Sequence, residues 1–310
     1  MNISIKNLEK DKILFNFKGS NIDNSSINTL RRIILSEIPT YAIPKYNIHI
    51  EKNTSVFDND HMNLRISMLR IPNIKNDVNY FHKDGKYNQN KIEIYLNVVN
   101  NNPNILNVTT NDLTVYIDGT DIENPFDKEY PDLIIKLKSL EEFKFRATAV
   151  LGKASMHDLW AAATPCYFTE ISENEYDFQF ESLGQLTHKE ILKKACAIIV
   201  EKLEEIETLI GDNYNDSSLD KTKKIILILE NENHTMGNLI TTALQNNPNV
   251  EYAGFKKDHM LINEITIRID TINYNPLKSF FETISKLKTL YNKTIQNIDA
   301  LDIKKIKNKK

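Results

Sequence analysis

Ser155, His157 and Asp158 are the residues whose types and spacing come nearest to those of a catalytic site. In a serine hydrolase, a histidine takes the proton of the serine hydroxyl and a carboxylate orients the histidine ring. Members of such a triad usually come from separate elements that folding brings together, whereas these three are near neighbours in the sequence. The spacing therefore favours a structural or docking loop. A hydrolase centred on His157 remains an alternative, and it predicts that His157→Ala abolishes activity.

Other catalytic and cofactor-binding patterns are missing from the sequence. It contains no Gly-x-Gly-x-x-Gly segment, no phosphate-binding Gly-Lys-Ser/Thr loop and no Asp-x-Asp-x-Asp cluster for magnesium. His234 has no neighbouring ligands at metal-binding spacing. The two cysteines, Cys166 and Cys196, exclude a disulfide framework and fit a reducing compartment. We therefore expect no metal, no cofactor and no intrinsic nucleotidyl-transfer site, and a chain that by itself is not an enzyme.

Composition and charge narrow the class of protein to which the chain can belong. The chain of 310 residues, 41% hydrophobic and 26% charged, is long enough for two modest soluble domains. Its net charge of −3 argues against nucleic-acid binding through an overall positively charged surface. The basic run 304–310 is terminal and reads as a solvated tail. The alternative, a free-standing nucleic-acid-binding protein using this tail, predicts DNA affinity that falls steeply with salt. No apolar stretch reaches the ~18 residues of a membrane span, and the sequence opens without a signal-peptide core.

One pattern that is typical of the start of a helix occurs twice in the chain, 209 positions apart. The first copy runs from Ser26 to Leu35 and is closed by Pro39, and the second runs from Thr235 to Leu244 and is closed by Pro248. A Ser or Thr before apolar residues at helical spacing starts a helix, and proline ends it. The apolar positions that coincide are Ile27 with Met236, Leu30 with Leu239, and Leu35 with Leu244. Two helices alike in design indicate two related modules that pair with each other.

A longer helix is predicted in each half, over 188–210 and after Pro276. Apolar residues recur at a spacing near 3.5 over about three heptads, as in helices that pack along a seam. Phe280, Ile284 and Leu287 belong to the second row. Alternating apolar residues predict a strand pair in 1–19 and a strand at 224–230. Each half therefore has the order strand, short helix, strands, long helix.

These elements predict an α+β fold in which two similar dimerisation modules pair within one chain. The first module is interrupted by an inserted, mostly-β domain made of short strands and Asn-rich loops. The expected boundaries are 1–45 and 130–212 for the first module, 46–129 for the insert, 213–223 for a linker, 224–303 for the second module and 304–310 for the basic tail.

Segments of both halves resemble one known family, the α-like assembly subunits of multisubunit RNA polymerases. The first half is similar to the larger α-like subunit and the second half to the smaller one, and the resemblance covers nearly the whole chain in the right order. The segments that carry it are Asn28–Pro39, Asn53–Val56, Arg65–Ile66, Ile71–Pro72, Val108–Leu113, Phe143–Trp160, Glu230–Asn238, Ala253–Phe255 and Ile265–Thr271. The fused arrangement resembles that of certain large DNA viruses.

The resemblance implies a non-catalytic scaffold whose two halves form an internal heterodimer and dock the two largest polymerase subunits. Small polymerase subunits would be further partners, DNA and RNA would be reached only through the complex, and no membrane would be involved. If the chain is viral, its location would be the viral factory in the host cytoplasm and the virion; otherwise it would be intracellular. The expected dimerisation residues are Ile27, Leu30, Ile34, Met236, Leu239, Leu244, Phe280, Ile284 and Leu287, and the expected docking residues are Arg31, Arg32, Lys153, His157 and Trp160.

Two departures from the family's pattern limit what carries over. Family members often hold zinc or an iron–sulfur centre on a cysteine cluster in the insert, and residues 46–129 contain no cysteine. The loop before Trp160 has Leu159 where the family usually has lysine, and Pro165 falls later than the family's proline. We therefore expect no metal centre in the insert and altered contacts of this loop.

Overall fold

The computed structural model describes residues 2–8, 12–20, 22–72, 74, 78, 90–213, 223–259 and 261–301. Five helices lie in this part of the chain: α1 Asn24–Ser36, α2 Asn59–Ser67, α3 His188–Asn213, α4 His234–Gln245 and α5 Pro276–Ala300. The strands of the same part are β1 Asn2–Leu8, β2 Lys12–Lys18, β3 Pro39–Ala42, β4 Ile48–Asn53, β5 Ile92–Val99, β6 Leu106–Thr109, β7 Thr114–Ile117, β8 Thr120–Ile122, β9 Leu133–Leu137, β10 Glu142–Lys153, β11 Ala163–Ser172, β12 Glu175–Ser182, β13 Lys224–Glu230, β14 Val250–Lys256 and β15 Glu264–Thr271.

The described residues fall into two compact units. The first unit is formed by the described residues within 1–35, 165–181 and 188–310, and the second by those within 36–164 and 182–187. The segment 46–129, expected to be an insert, lies inside the second unit, and its exact limits stay a proposal. Most of the expected linker and the whole basic tail lie outside the described residues.

The first unit contains two antiparallel sheets. One has the strand order β1-β2-β12-β11, and its inner face is aromatic: Phe15 and Phe17 of β2 pack against Phe178 and Phe180 of β12. The other has the order β13-β15-β14. In β13 the odd-numbered residues from Ile225 to Leu229 are buried and their neighbours are exposed, which is the alternation of a sheet covered on one face.

The two halves share one plan. The first half runs β2, α1, β11, β12, α3, and the second runs β13, α4, β14, β15, α5. Their sheets also have matching orders, β2-β12-β11 and β13-β15-β14. The α+β architecture with a repeated module, predicted from the sequence, is confirmed.

The start of the short helices differs from the sequence prediction. Asp23 caps α1, since its Oδ1 accepts the amide hydrogen of Ser26 at 2.7 Å, and Asn233 caps α4 by accepting from Thr235 at 2.8 Å. A carboxylate or amide oxygen just before the helix reaches the unpaired amides of the first turn. Ser26 and Thr235, the predicted caps, are instead buried in that turn. The capping prediction was wrong, and the matching caps put the two helices 210 positions apart rather than 209.

The second unit is built around β10. This long strand pairs with β3, β4 and β5, and the sheet continues through β7 to β8, while β6 and β9 form a separate pair. Helix α2 covers this unit's core with Met62 and Ile66, which are fully buried. It was missed in the sequence, although Asp58 caps it by accepting from the amide of His61 at 2.7 Å.

Helices that could cross a membrane were sought among the described residues, and none is long and apolar enough.

Candidate protein–protein interface

The short helices α1 and α4 bury the residues predicted to hold the halves together. Each is at most 1% exposed: Ile27, Leu30, Ile34, Met236, Leu239 and Leu244. A hydrogen bond joins the two helices, because the Asn238 amide donates to the Ser25 hydroxyl at 3.0 Å. After its polar cap, each helix turns these apolar side chains inward. The side chains therefore stabilise the fold by being removed from water.

The long helices α3 and α5 pack against each other, although they come from different halves. Phe280, Ile284 and Leu287 of α5 are buried, as predicted for a seam. At the rim, Lys193 near the start of α3 pairs with Asp299 near the end of α5 at 3.0 Å. Glu207 near the other end of α3 pairs with Lys288. These pairs show that the two helices run antiparallel.

Tyr291 of α5 joins the second half to the first. Its ring is fully buried and its hydroxyl donates to the Ser26 carbonyl of α1 at 3.2 Å. Burial raises the pKa of this phenol well above its ordinary value, because a phenolate there would lose its hydration. The sequence showed Tyr291 only as part of an apolar row and gave no sign of this hydrogen bond.

A buried ion pair also joins the halves. The Lys202 ammonium of α3 lies 3.3 and 3.4 Å from the two carboxylate oxygens of Glu232, which stands just before α4. Both residues are 5% exposed. A charged residue on a helix reads in the sequence as solvated, so this pair was missed.

Arg31 and Arg32 lie on α1 and differ in exposure. Arg31 is half-buried, and its guanidinium donates twice to the Asn28 side-chain oxygen, at 3.0 and 2.9 Å. Arg32 is exposed. Neighbouring helical residues point about 100° apart, so the apolar face of Leu30 and Ile34 directs at least one guanidinium outward.

Lys153 is the last residue of β10 in the second unit, and His157 and Trp160 lie in the loop that follows it. Lys153 forms an ion pair with Glu37 at 2.6 Å. His157 is exposed, and its Nδ1 accepts the amide hydrogen of Leu159 at 3.1 Å. Trp160 is only 6% exposed, and its indole donates to the Val150 carbonyl at 2.9 Å. The tryptophan therefore anchors the loop, and the exposed tip around His157 is what the loop presents.

Three side chains from distant segments hold this loop by its carbonyl groups. Thr40 donates to the carbonyl of Trp160 at 2.8 Å, and Gln185 donates to that of Ala161 at 3.1 Å. Arg70 donates to the carbonyl of Leu159 at 3.0 Å. These contacts were missed in the sequence, because each joins residues far apart along the chain.

The geometry of the same loop gives no support to a hydrolase. The His157 nitrogen nearest the backbone is already engaged by Leu159, and the ring lies edge-on to Trp160. Within the described ranges, no group of three or more His, Cys, Asp or Glu side chains is placed to hold a metal ion. The loop is held in place by its hydrogen bonds and presents an exposed surface suited to contact with another protein.

Comparison with known proteins bears on both halves. The model of the RNA polymerase Rpb3/Rpb11 dimerisation domain matches residues 16–203, and a second model of the same description matches residues 224–297. The chain belongs to the RNA polymerase Rpb3/Rpb11 dimerisation-domain family. It carries two such domains in one polypeptide. Because the matched unit of the family is a dimerisation domain, both halves are structural, non-catalytic parts of a multisubunit RNA polymerase.

Individual members of the family align over long stretches. A protein of Acanthamoeba polyphaga mimivirus, named as a DNA directed RNA polymerase subunit, is 28% identical over 88% of this chain and 87% of its own length. DNA-directed RNA polymerase subunit Rpo3 of Methanocaldococcus jannaschii is 28% identical over 65% of this chain and 94% of its own. DNA-directed RNA polymerase II subunit RPB3 of Schizosaccharomyces pombe is 27% identical over 56% of this chain and 59% of its own.

Proposed function

We propose that the protein is a non-catalytic assembly subunit of a DNA-directed RNA polymerase, in which the two halves form an internal α-like heterodimer. The observation that carries the proposal is the packing of α3 from the first half against α5 from the second. The buried faces of α1 and α4, the Asn238–Ser25 hydrogen bond and the Tyr291–Ser26 hydrogen bond support the same pairing. The tether between the halves keeps them at an effective concentration on the order of mM and sets their ratio at one to one.

We further propose that this heterodimer docks the two largest, catalytic subunits and contacts small polymerase subunits. On α1 the docking residues are Arg31 and Arg32, whose planar guanidinium groups suit bidentate pairing with carboxylates. In the second unit they are Lys153 and His157, while the buried Trp160 keeps the loop in position. DNA and RNA are reached only through the assembled complex.

We infer the cellular setting from the viral relative. A polymerase subunit of a large DNA virus aligns over 88% of the chain, which supports a viral polymerase acting in the host cytoplasm and carried in the virion. The alternative use of the chain, nucleic-acid binding by residues 304–310, rests on a segment outside the described residues.

Affinity purification of the tagged full chain from infected or expressing cells tests the function. We expect the two largest polymerase subunits to be recovered at equal ratio with the chain, and the recovered complex to synthesise RNA. The purified chain alone should show neither RNA synthesis nor nucleotide hydrolysis. Recovery of the chain without large subunits, or activity of the single chain that a point mutation removes, would contradict the proposal.

A further inference from the structure

The two halves have the same order of elements, but they differ in charge at one place where they meet. On one side, the buried Lys202 of the first half meets the buried Glu232 of the second, at 3.3 and 3.4 Å. Because the halves share one plan, each of these residues has a counterpart in the other half. Those counterparts show whether the ion pair is repeated.

The counterpart of Lys202 follows from the long helices. Helices α3 and α5 begin at His188 and Pro276, which are 276 − 188 = 88 positions apart. The same spacing superposes their buried positions: Leu192 with Phe280, Cys196 with Ile284, Ile199 with Leu287, Leu203 with Tyr291, and Ile210 with Ile298. Lys202 therefore corresponds to Leu290.

The counterpart of Glu232 follows from the short helices. The caps Asp23 and Asn233 are 233 − 23 = 210 positions apart, as are the helix starts Asn24 and His234. One residue before the cap stands Ile22 in the first half and Glu232 in the second. Both are buried, at 3% and 5% exposure.

By this correspondence, the place equivalent to the ion pair is assigned to two aliphatic residues, the buried Ile22 and the partly buried Leu290. If two first halves were paired with each other, the same geometry would set Lys202 against Ile22. If two second halves were paired, it would set Glu232 against Leu290. Either arrangement replaces the opposite charge that the buried residue now faces by an aliphatic side chain, which is strongly unfavourable. Only a first half with a second half matches charge to charge and aliphatic to aliphatic.

We propose that the Lys202–Glu232 pair, together with Ile22 and Leu290, determines which halves associate, by excluding pairs of like halves. The inference rests on the internal pairing proposed above and adds to it the residues that specify the partner. An interface between related modules needs such a device, because similar apolar faces alone distinguish poorly between like and unlike partners.

Thermal unfolding of the purified full chain tests whether stability depends on charge facing charge, or aliphatic facing aliphatic residue, at the junction of the two halves. Lys202→Leu reproduces the junction of two second halves, and Glu232→Ile reproduces that of two first halves. We expect each to lower Tm by about 10 °C, since removing one member of a buried ion pair takes away the opposite charge that the other faces. The double variant copies the aliphatic junction and should regain most of that loss. Lys193→Leu is the control, because it removes a different ion pair between the two halves, that of Lys193 with Asp299, whose members are half-exposed, and it should change Tm by less than about 2 °C.

Charge reversal tests the choice of partner. In Lys202→Glu or Glu232→Lys, the two halves of one chain carry like charges at the junction. When both variants are co-expressed, exchange of halves between the two chains restores an opposite pair at each junction. We expect a two-chain species by native mass spectrometry from the mixture, and a single-chain species from the wild type and from the chain carrying both reversals.

The proposal is overturned if the single variants keep the wild-type Tm, if the double variants recover nothing, or if co-expression yields only single-chain species. If a single reversal is insoluble by itself, the co-expressed mixture decides: a soluble two-chain complex supports the proposal and an insoluble mixture overturns it. These measurements use the chain alone. A failure to recover polymerase subunits would therefore count against the proposed function and leave this result standing.

Discussion

Gly152→Ala offers a local test of how the loop after β10 is anchored. A Cβ added at Gly152 would lie 2.5 Å from Cε2, 2.7 Å from Cδ2 and 2.8 Å from Nε1 of the Trp160 indole. Ordinary carbon contacts are about 3.5–4.0 Å, so the ring or the strand must move by roughly 1 Å. Because Trp160 is buried and its indole donates to the Val150 carbonyl at 2.9 Å, the movement also weakens that hydrogen bond.

The expected cost has two parts. Forcing an extra carbon into a packed site costs typically about 1–3 kcal/mol. Leaving a buried indole or carbonyl without its hydrogen bond costs about 1–3 kcal/mol more. The free energy of unfolding should therefore fall by about 2–6 kcal/mol, a large part of a typical stability of about 5–15 kcal/mol.

Fluorescence makes the assay specific, because Trp160 is the single tryptophan of the chain. We expect a red shift of its emission in Gly152→Ala before any global unfolding, and a lower midpoint in urea. The control is Gly211→Ala in α3, where a Cβ would meet nothing within 4 Å and a helical alanine is preferred to glycine by about 1 kcal/mol. Emission and midpoint unchanged in Gly152→Ala would refute the proposed anchoring of the loop by Trp160.

Three further outcomes are expected. Leu30→Asp or Leu239→Asp puts a carboxylate on the buried apolar face of α1 or α4 and should open the chain to protease at a cost of several kcal/mol. A soluble, monodisperse and equally resistant variant would contradict the proposed pairing of the short helices. Arg31→Ala with Arg32→Ala should leave Tm nearly unchanged, since Arg32 is exposed and the Arg31 guanidinium bonds to Asn28 of the same helix, where a hydrogen bond is worth about 0.5–1.5 kcal/mol. The same change should weaken recovery of the second-largest polymerase subunit; full recovery, or a large loss of Tm, would refute the docking role. Burial raises the pKa of the Cys196 thiol, so above about pH 8.5 only the unfolded chain releases this proton. The free energy of unfolding should therefore fall as pH rises past that value, and urea titrations at pH 7 and 9.5 should show a smaller fall in Cys196→Ala.

Much of the fold could be predicted from the sequence because the helices and strands depend on residues that are close together along the chain. The alternation in 13–17 and 224–230 and the apolar rows of the long helices arise from the periods of strands and helices themselves. The repeated order of elements followed from these patterns, and so did the assignment of buried faces on α1 and α4. Helix α2 was missed because its short apolar row is weak, although Asp58 is a recognisable cap.

Capping shows where such local reasoning fails. Ser26 and Asp23 are both acceptable caps by residue type, and so are Thr235 and Asn233. The choice depends on which residue leaves the helix and which is buried in its first turn, and that is settled by packing against the rest of the fold. The spacing of the repeat changed from 209 to 210 for this reason.

The tertiary structure alone decided which polar side chains of distant segments meet. Lys202 meets Glu232 across 30 positions, and Arg70 holds the Leu159 carbonyl across 89. No periodic pattern records such a meeting, since either residue read in its own segment is a solvated charge. By itself the sequence determined two related modules, their order and their apolar faces. Folding decided which polar side chains become buried opposite one another, because a charge can be kept out of water only where a distant segment supplies its partner.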